Sequence, residues 1–240
     1  MAHPEIIWTV VVGGGSGRRF GLLKQYEALG DARVIDWSRG VAVAASNGVV
    51  VVVPADDADR ERGVAGGDSR SASVRAGLAA IPDEATIICV HDAARPFATA
   101  DIYERVIDAV AQGADAAIPG VEVTDTIKVV ASGADGSTTV VDTPDRSSLV
   151  AVQTPQAFRA ATLRSAHAAG GEATDDAAMI ERNGGRVVIV DGDLMNRKIT
   201  VPDDLDWARR HAAALDTTSR SDVSPRGTSP DGTSQSGVPR

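Results

Sequence analysis

The chain has 240 residues, 43% of them hydrophobic, which suffices for one good core and suits a single α/β domain. A net charge of −9 argues against a general nucleic-acid binder, since such proteins are as a rule basic. The single cysteine, Cys89, lies inside an apolar run, reads as a small core residue and permits a reducing compartment.

The first run, Ile6–Val12 ("IIWTVVV"), is too short to span a membrane and stops at glycine, so it reads as a strand. No basic leader precedes it and no other segment is long and apolar enough to span a bilayer. A cytoplasmic protein without membrane partners is therefore expected.

The stretch from Val10 to Tyr26, "VVVGGGSGRRFGLLKQY", follows that strand. It is not a P-loop, because no G-x-x-x-x-G-K-[ST] threads through it, and G-x-G-x-x-G fails at Arg18 or Phe20. It offers bare backbone N–H groups beside guanidinium and ammonium groups, a composition that suits a triphosphate. The plainer reading is a glycine-rich turn with solvated arginines.

A second strand is predicted over Val49–Val53, followed by "AGGDSRSASVRAGL". Gly66 and Gly67 allow close backbone approach, and Asp68 would repel phosphate and so suits a sugar or base. Ser73 reads equally as a helix cap or a ligand contact. Val74, Leu78 and Ile81 share one helical face. A third strand, Thr86–Val90, delivers Asp92 and, three residues on, Arg95. His91 reads as a packed strand-end histidine ahead of a catalytic one.

A helix carrying Ile102, Val106 and Val110 precedes a strand over Ala114–Pro119. Two β-rich runs, Thr126–Val130 and Thr138–Val141, flank a polar turn at Ala131–Ser137 and predict a hairpin, with the arm at about 124–148. After a last strand, Val187–Val190, "TVPDDLDWA" places Thr200, Pro202 and Asp203 as N-cap, early proline and acidic first turn. Residues 1–215 read as one domain. From 216 to 240 the chain is Ser-, Thr-, Gly-, Pro- and Asp-rich and reads as a disordered tail. The alternation of strand and helix predicts a mostly parallel sheet with helices on both faces, whose ligands bind outside the carboxyl ends of the strands.

Only three of the 24 basic residues are lysine: Lys24, Lys128 and Lys198. All three fall in segments picked out on other grounds. They read as positions where a compact point charge beside a phosphate oxygen is needed and a planar fork would not serve.

Gly13 through Lys24–Gln25, "GGDSRSASVRAGL", "VHDAARPF", "DTIK", "TPQAF", "ATDDAAMIE" and "NRKITVPDDL" follow one another in a family's order. The chain resembles the 2-C-methyl-D-erythritol 4-phosphate cytidylyltransferases of non-mevalonate isoprenoid biosynthesis over about residues 6–212. It is also similar to ribitol-5-phosphate cytidylyltransferases. It departs in carrying Gly13–Gly14–Gly15 where Ala-Ala-Gly is usual, in a shortened Arg19–Lys24 stretch with Leu23 in place of a proline, and in its tail.

The resemblance implies a Rossmann-like nucleotidyltransferase fold with a β-hairpin dimerisation arm. It implies transfer of CMP from CTP to the polyol phosphate by direct in-line attack, giving 4-diphosphocytidyl-2-C-methyl-D-erythritol and pyrophosphate. Arg19, Lys24 and Lys198 would be catalytic. Gly13, Gly14, Gly15, Gly17, Gly67, Asp68, Ser73, Asp92 and Ala93 would bind nucleotide. Arg95, Thr126, Lys128, Arg146 and Thr174 would form the acceptor side, with Arg146 serving the neighbouring subunit of a crossed-arm homodimer. Mg²⁺ would travel on the CTP phosphates, and no dedicated protein metal site is expected. The remaining alternatives are another polyol phosphate as acceptor and a non-catalytic nucleotide-binding relative.

Overall fold

The computed structural model describes residues 4–15, 23–170, 173 and 175–221. In chain order the elements are β1 (Ile7–Val12), β2 (Ala28–Leu29), β3 (Ala32–Arg33), α1 (Val34–Ala45), β4 (Gly48–Val53), α2 (Ala58–Glu61), β5 (Val64–Ala65) and α3 (Arg70–Ala79). There follow β6 (Ile87–Asp92), α4 (Ala100–Ala111), β7 (Ala116–Glu122), β8 (Val129–Ser132), β9 (Thr138–Asp142), β10 (Val150–Val152) and β11 (Gln156–Arg159). The last are α5 (Ala160–Ala168), α6 (Ala177–Arg182), β12 (Val187–Asp191) and α7 (Pro202–Ser221).

The main sheet runs β10-β7-β11-β6-β1-β4-β5, with β12 also on β7. Its β5-β4-β1-β6 half is parallel, and β12 joins β7 in parallel. The antiparallel β10 and β11 interrupt the order. Each is only three or four residues long and carries no alternating pattern, so neither stands out in the sequence.

Alternation along the strands sorts the core into two layers. Val10, Val52, Ile88 and Val90 face α3, α5 and α6. Val11, Val51, Val53, Ile87 and Cys89 face α1 and α4. Cys89 is fully buried, and burial pushes its thiol up to about 12, so it is a core residue with an inert sulfur. Val74 and Leu78 point from α3 into the first layer, while Ile81 is buried in the turn just past the helix.

The parallel register sets the future site. Val12 lies level with Val52 on one side and Asp92 on the other, so three strands end together. The chain then turns over that edge: Gly13 N donates to Val52 O at 2.7 Å, and Ala93 N donates to Val12 O at 3.0 Å.

One expectation at the C-terminal end is corrected. Thr200 does not cap α7; its hydroxyl and backbone N–H both donate to one oxygen of Asp204 inside the first turn, as does Val201 N. A carboxylate one turn in accepts several orphan donors at once, which a threonine oxygen cannot. The helix runs to Ser221. Residues 222–240 lie outside the described residues.

The predicted hairpin forms as β8 and β9, a separate two-stranded sheet with a shift at Val129/Val130, its first strand starting later than the apolar run suggested. Val129, Val130, Val140 and Val141 are all exposed.

Gly77 fixes how closely α3 lies on the sheet. A Cβ there would meet a Val10 methyl at 2.6 Å and a Val52 methyl at 3.0 Å, and both side chains are immobilised in the core. Gly77→Ala gains about 1 kcal/mol in helix propensity, but the overpacking costs about 1–3 kcal/mol. The net expectation is a loss of up to about 2 kcal/mol in urea unfolding; a gain in stability would show that the helix can lift without cost.

Candidate active site

The carboxyl ends of β1 and β6 and the start of α3 enclose a cleft of about 590 Å³. Its wall brings together Gly13, Gly14, Gly15, Lys24, Gly67, Asp68, Ser73, Asp92, Ala93 and Lys198, all singled out from sequence. Gln25, Ser69, Arg70, Ala94 and Thr200 line it as well. Gly17, Arg19 and Thr174 lie outside the described residues.

The glycine positions have steric causes. At Gly67 a Cβ would sit 2.6 Å from the Ala72 Cβ, so the loop can approach α3 only without a side chain. Ser73 is not the cap of α3. Ser69 is, accepting from Ala72 N at 3.0 Å. The Ser73 hydroxyl instead donates to Ser69 O at 2.9 Å and accepts from Gly67 N at 3.2 Å, clamping the glycine loop to the helix.

Lys24 sits on a single 3-10 turn, Lys24–Tyr26. That turn is fixed by Tyr26, whose ring lies beneath the guanidinium of Arg60 at 4.8 Å and near that of Arg33 at 5.6 Å. The Lys24 Nζ donates to Ile199 O at 2.6 Å. Ile199 is buried and its N–H donates to Ala94 O at 2.8 Å, so the segment bearing Lys198 is stitched both to the loop after β6 and to Lys24. Asn196 adds a second stitch, donating to Thr154 O at 3.0 Å.

Lys198 Nζ lies 2.6 Å from one oxygen of Asp92, and Arg70 Nε lies 3.4 Å from the other. Burial by itself would raise the Asp92 pKa. The charges of Lys198 and Arg70 outweigh it and hold the carboxyl well below the usual range. The cleft is thus a cationic wall with the ionised Asp92 carboxylate set into it. Arg70 lines the cleft and pairs with Asp92, and sequence reasoning misses it; its position in the first turn of a helix behind a glycine pair is the available signal.

The residues expected on the acceptor side are placed elsewhere. Arg95 donates to Asn196 O at 2.8 Å and Val152 O at 3.3 Å, so its guanidinium braces the Lys198 segment and is not on the cleft wall. Thr126 and Lys128 are exposed on the arm, with Lys128 Nζ 2.8 Å from Thr143 Oγ1. Arg146 Nη1 donates to Thr124 O at 2.7 Å. None of these arm residues lines the cleft of its own chain.

His91 is fully buried beside Tyr103. Its Nε2 is 3.2 Å from Arg95 O, an acceptor, so this nitrogen carries the proton. Nδ1 then accepts from the Thr154 hydroxyl at 3.1 Å, and that oxygen in turn accepts from Asp92 N. The ring is a neutral packing residue, as the sequence suggested.

No group of three or more His, Cys, Asp or Glu is placed to hold a metal ion among the described residues. Asp92 and Asp68 give the cleft two carboxylates, which suits a hard cation arriving with its own phosphate and water oxygens. Nor is any helix among those residues long and apolar enough to cross a membrane.

The model of the family described as "IspD: 2-C-methyl-D-erythritol 4-phosphate cytidylyltransferase" matches residues 7–212. The chain belongs to this family. A 2-C-methyl-D-erythritol 4-phosphate cytidylyltransferase of Streptomyces coelicolor is 41% identical over 229 residues, covering 84% of this chain and 83% of the relative. A bifunctional IspD/IspF enzyme of Anaeromyxobacter dehalogenans is 42% identical over 226 residues, covering 87% of this chain. The chain spans a little over half, 58%, of that relative's length. Among solved structures, the family member from Thermus thermophilus superposes with a TM-score of 0.72 at 32% identity, covering 88% of this chain and all of the other.

Burial pushes the His91 pKa down to about 4 from an ordinary 6.5. The native state therefore binds fewer protons than the unfolded chain between these values, and stability falls as pH drops through that window. A loss on the order of 3 kcal/mol is expected between pH 7 and pH 4. Denaturant melts at stepped pH should show it, and His91→Gln should flatten the slope. An unchanged slope in that variant would assign the loss to other groups.

Proposed function

We propose that this chain transfers CMP from CTP to 2-C-methyl-D-erythritol 4-phosphate, releasing pyrophosphate. The observation that carries the reading is the joining of Lys24 and Lys198, through Ile199, on one wall with the glycine turn Gly13–Gly15. Family membership and relatives named for this activity support the same substrates.

The acceptor's phosphate monoester has a second pKa of about 6 and is mostly a dianion at pH 7. It needs no general base, and His91 could not act as one, with both nitrogens engaged in the core. An acceptor oxygen attacks the α-phosphorus in line with the departing pyrophosphate. The work left to the protein is to hold two anions together and to stabilise added negative charge. Gly13, Gly14 and Gly15 line the CTP, the first two near the base, while the Gly13 N–H itself stays on Val52 O. Lys24 holds the phosphates, and Lys198 sits at the α-phosphate. Gly67, Asp68 and Ser73 read base and ribose, and Asp92 with Ala93 lies by the ribose and the reacting phosphate. Gly17 and Arg19 complete the triphosphate side. Asp92 would help to hold a Mg²⁺ that arrives on the phosphates, and the cation would supply charge neutralisation at the leaving group. A reducing, cytoplasmic setting accords with the single buried thiol.

Acceptor recognition falls to Thr126, Lys128, Arg146 and Thr174, with Arg95 bracing from behind. The arm is a lone hairpin with an apolar exposed surface, and such a hairpin is marginal in water without something to pack on. A second copy related by a two-fold axis would supply that surface, each arm reaching the other's cleft.

A pyrophosphate-release assay with CTP and a panel of polyol phosphates tests the reading. Turnover with the methylerythritol phosphate is expected; turnover only with ribitol 5-phosphate would replace the acceptor, and none with any would leave a binding module. Lys24→Ala should lower kcat by a factor corresponding to about 2.7–4 kcal/mol, as for the loss of one oxyanion donor. Lys24→Arg should also fail, since a fork cannot replace a point charge there; near-parental turnover would remove Lys24 from the mechanism. Mixing Arg146→Ala and Lys24→Ala subunits should restore up to about half of parental activity per heterodimer, because one site then receives both defects and the other neither. If subunit exchange restores nothing, the crossed-arm arrangement is wrong.

A further inference from the structure

Behind the cleft the charged groups continue inward as a chain. Arg70 takes one oxygen of Asp92 through Nε, and its Nη1 lies 2.7 Å from Asp176 Oδ2. The other oxygen of Asp176 lies 3.0 Å from Nε2 of His167. Asp176 and His167 are both buried. Asp176 stands just ahead of α6, and His167 lies near the end of α5, so this end of the chain is anchored in helices packed under the sheet. Burial opposes the charge on Asp176, but the His167 hydrogen bond and Arg70 hold its carboxyl below the ordinary range.

The arrangement decides what Lys198 can do. Asp92 has two oxygens, and Lys198 holds only one. If the other were unclaimed, the full charge of the carboxylate would draw the flexible ammonium down onto it and away from a phosphate. Arg70 divides the carboxylate by occupying Oδ1, and Asp176 keeps Arg70 from swinging out to follow a ligand. A guanidinium can span two carboxylates with separate nitrogens in a fixed plane, which an ammonium cannot.

We propose that Arg70 is a positioning residue that sets the Lys198–Asp92 pair, and that Asp176 acts on that pair through Arg70. The kinetic arm of its test rests on the cytidylyl transfer proposed above. A spectroscopic arm does not, and it keeps the two readings distinguishable.

With only three lysines in the chain, reductive ¹³C-methylation gives a spectrum in which the Lys198 resonance is assigned by its loss in Lys198→Arg. Asp176→Asn, which does not touch Lys198, should move that resonance and leave Lys128 in place. In an Arg70→Gln background the same Asp176 change should move it no further. A Lys198 resonance indifferent to Asp176, or still responsive to it without Arg70, overturns the proposal whether or not the enzyme turns over. In the kinetic arm Arg70→Gln should lower kcat about 10- to 100-fold, the usual scale for a supporting residue. KM for CTP should stay within about threefold. Arg70→Lys should recover little, and Asp176→Asn should add under about twofold to Arg70→Gln. A KM effect with parental kcat would make Arg70 a direct nucleotide contact and overturn the positioning role. Inactivity of the parent chain would count against the transferase reading alone.

Discussion

A carboxylate buried at the end of a central strand is the constraint around which this site is organised. Asp92 ends β6 next to β1, and leaving water there is costly unless positive charge and donors meet it. Lys198 and Arg70 supply the charge, and Thr154 holds the Asp92 backbone N–H. Each is drawn from a different segment, so satisfying this one residue, side chain and backbone, gathers four parts of the chain. A binding wall and a stability requirement are here the same set of contacts.

That coupling explains the division of labour among the cations. Arg95 and Arg33 are engaged by carbonyls and by carboxylates that lock loops together. Each lysine at the cleft is oriented by a short contact, Lys24 to a carbonyl and Lys198 to Asp92. An ammonium is a compact point charge, so a short contact of this kind fixes where its charge sits. An acidic protein can present a locally cationic surface in this way because the favourable charges are placed by short backbone ties and owe little to the overall balance.

Much of this was legible in the residues themselves. The apolar, β-branched runs ending at Gly13 and Asp92 marked strands buried on both faces, and the sheet's carboxyl edge followed from their order. The roles of Ser73 and Thr200 were not legible, because a hydroxyl near a helix start looks the same whether it caps, clamps or donates to an acid one turn on. The short antiparallel strands β10 and β11 owe their existence to β7 and β6, and no local pattern encodes them. Arg70 was hidden for a similar reason: its partners lie 22 and 106 residues away in sequence, and spacing within its own motif says nothing about either.

The stitching of Lys198 to the rest has a consequence in time. A chain emerging from the ribosome presents the glycine turn first, then Asp92, and only 106 residues later the lysine that faces it. Until then Asp92 lacks its nearest counter-charge, and Lys24 lacks the carbonyl of Ile199. The half-made domain therefore has its sheet centre but not its working edge, and the pocket is among the last features synthesis can complete. A nascent chain stalled before that segment would carry an open, acid-tipped strand without the lysine that faces it.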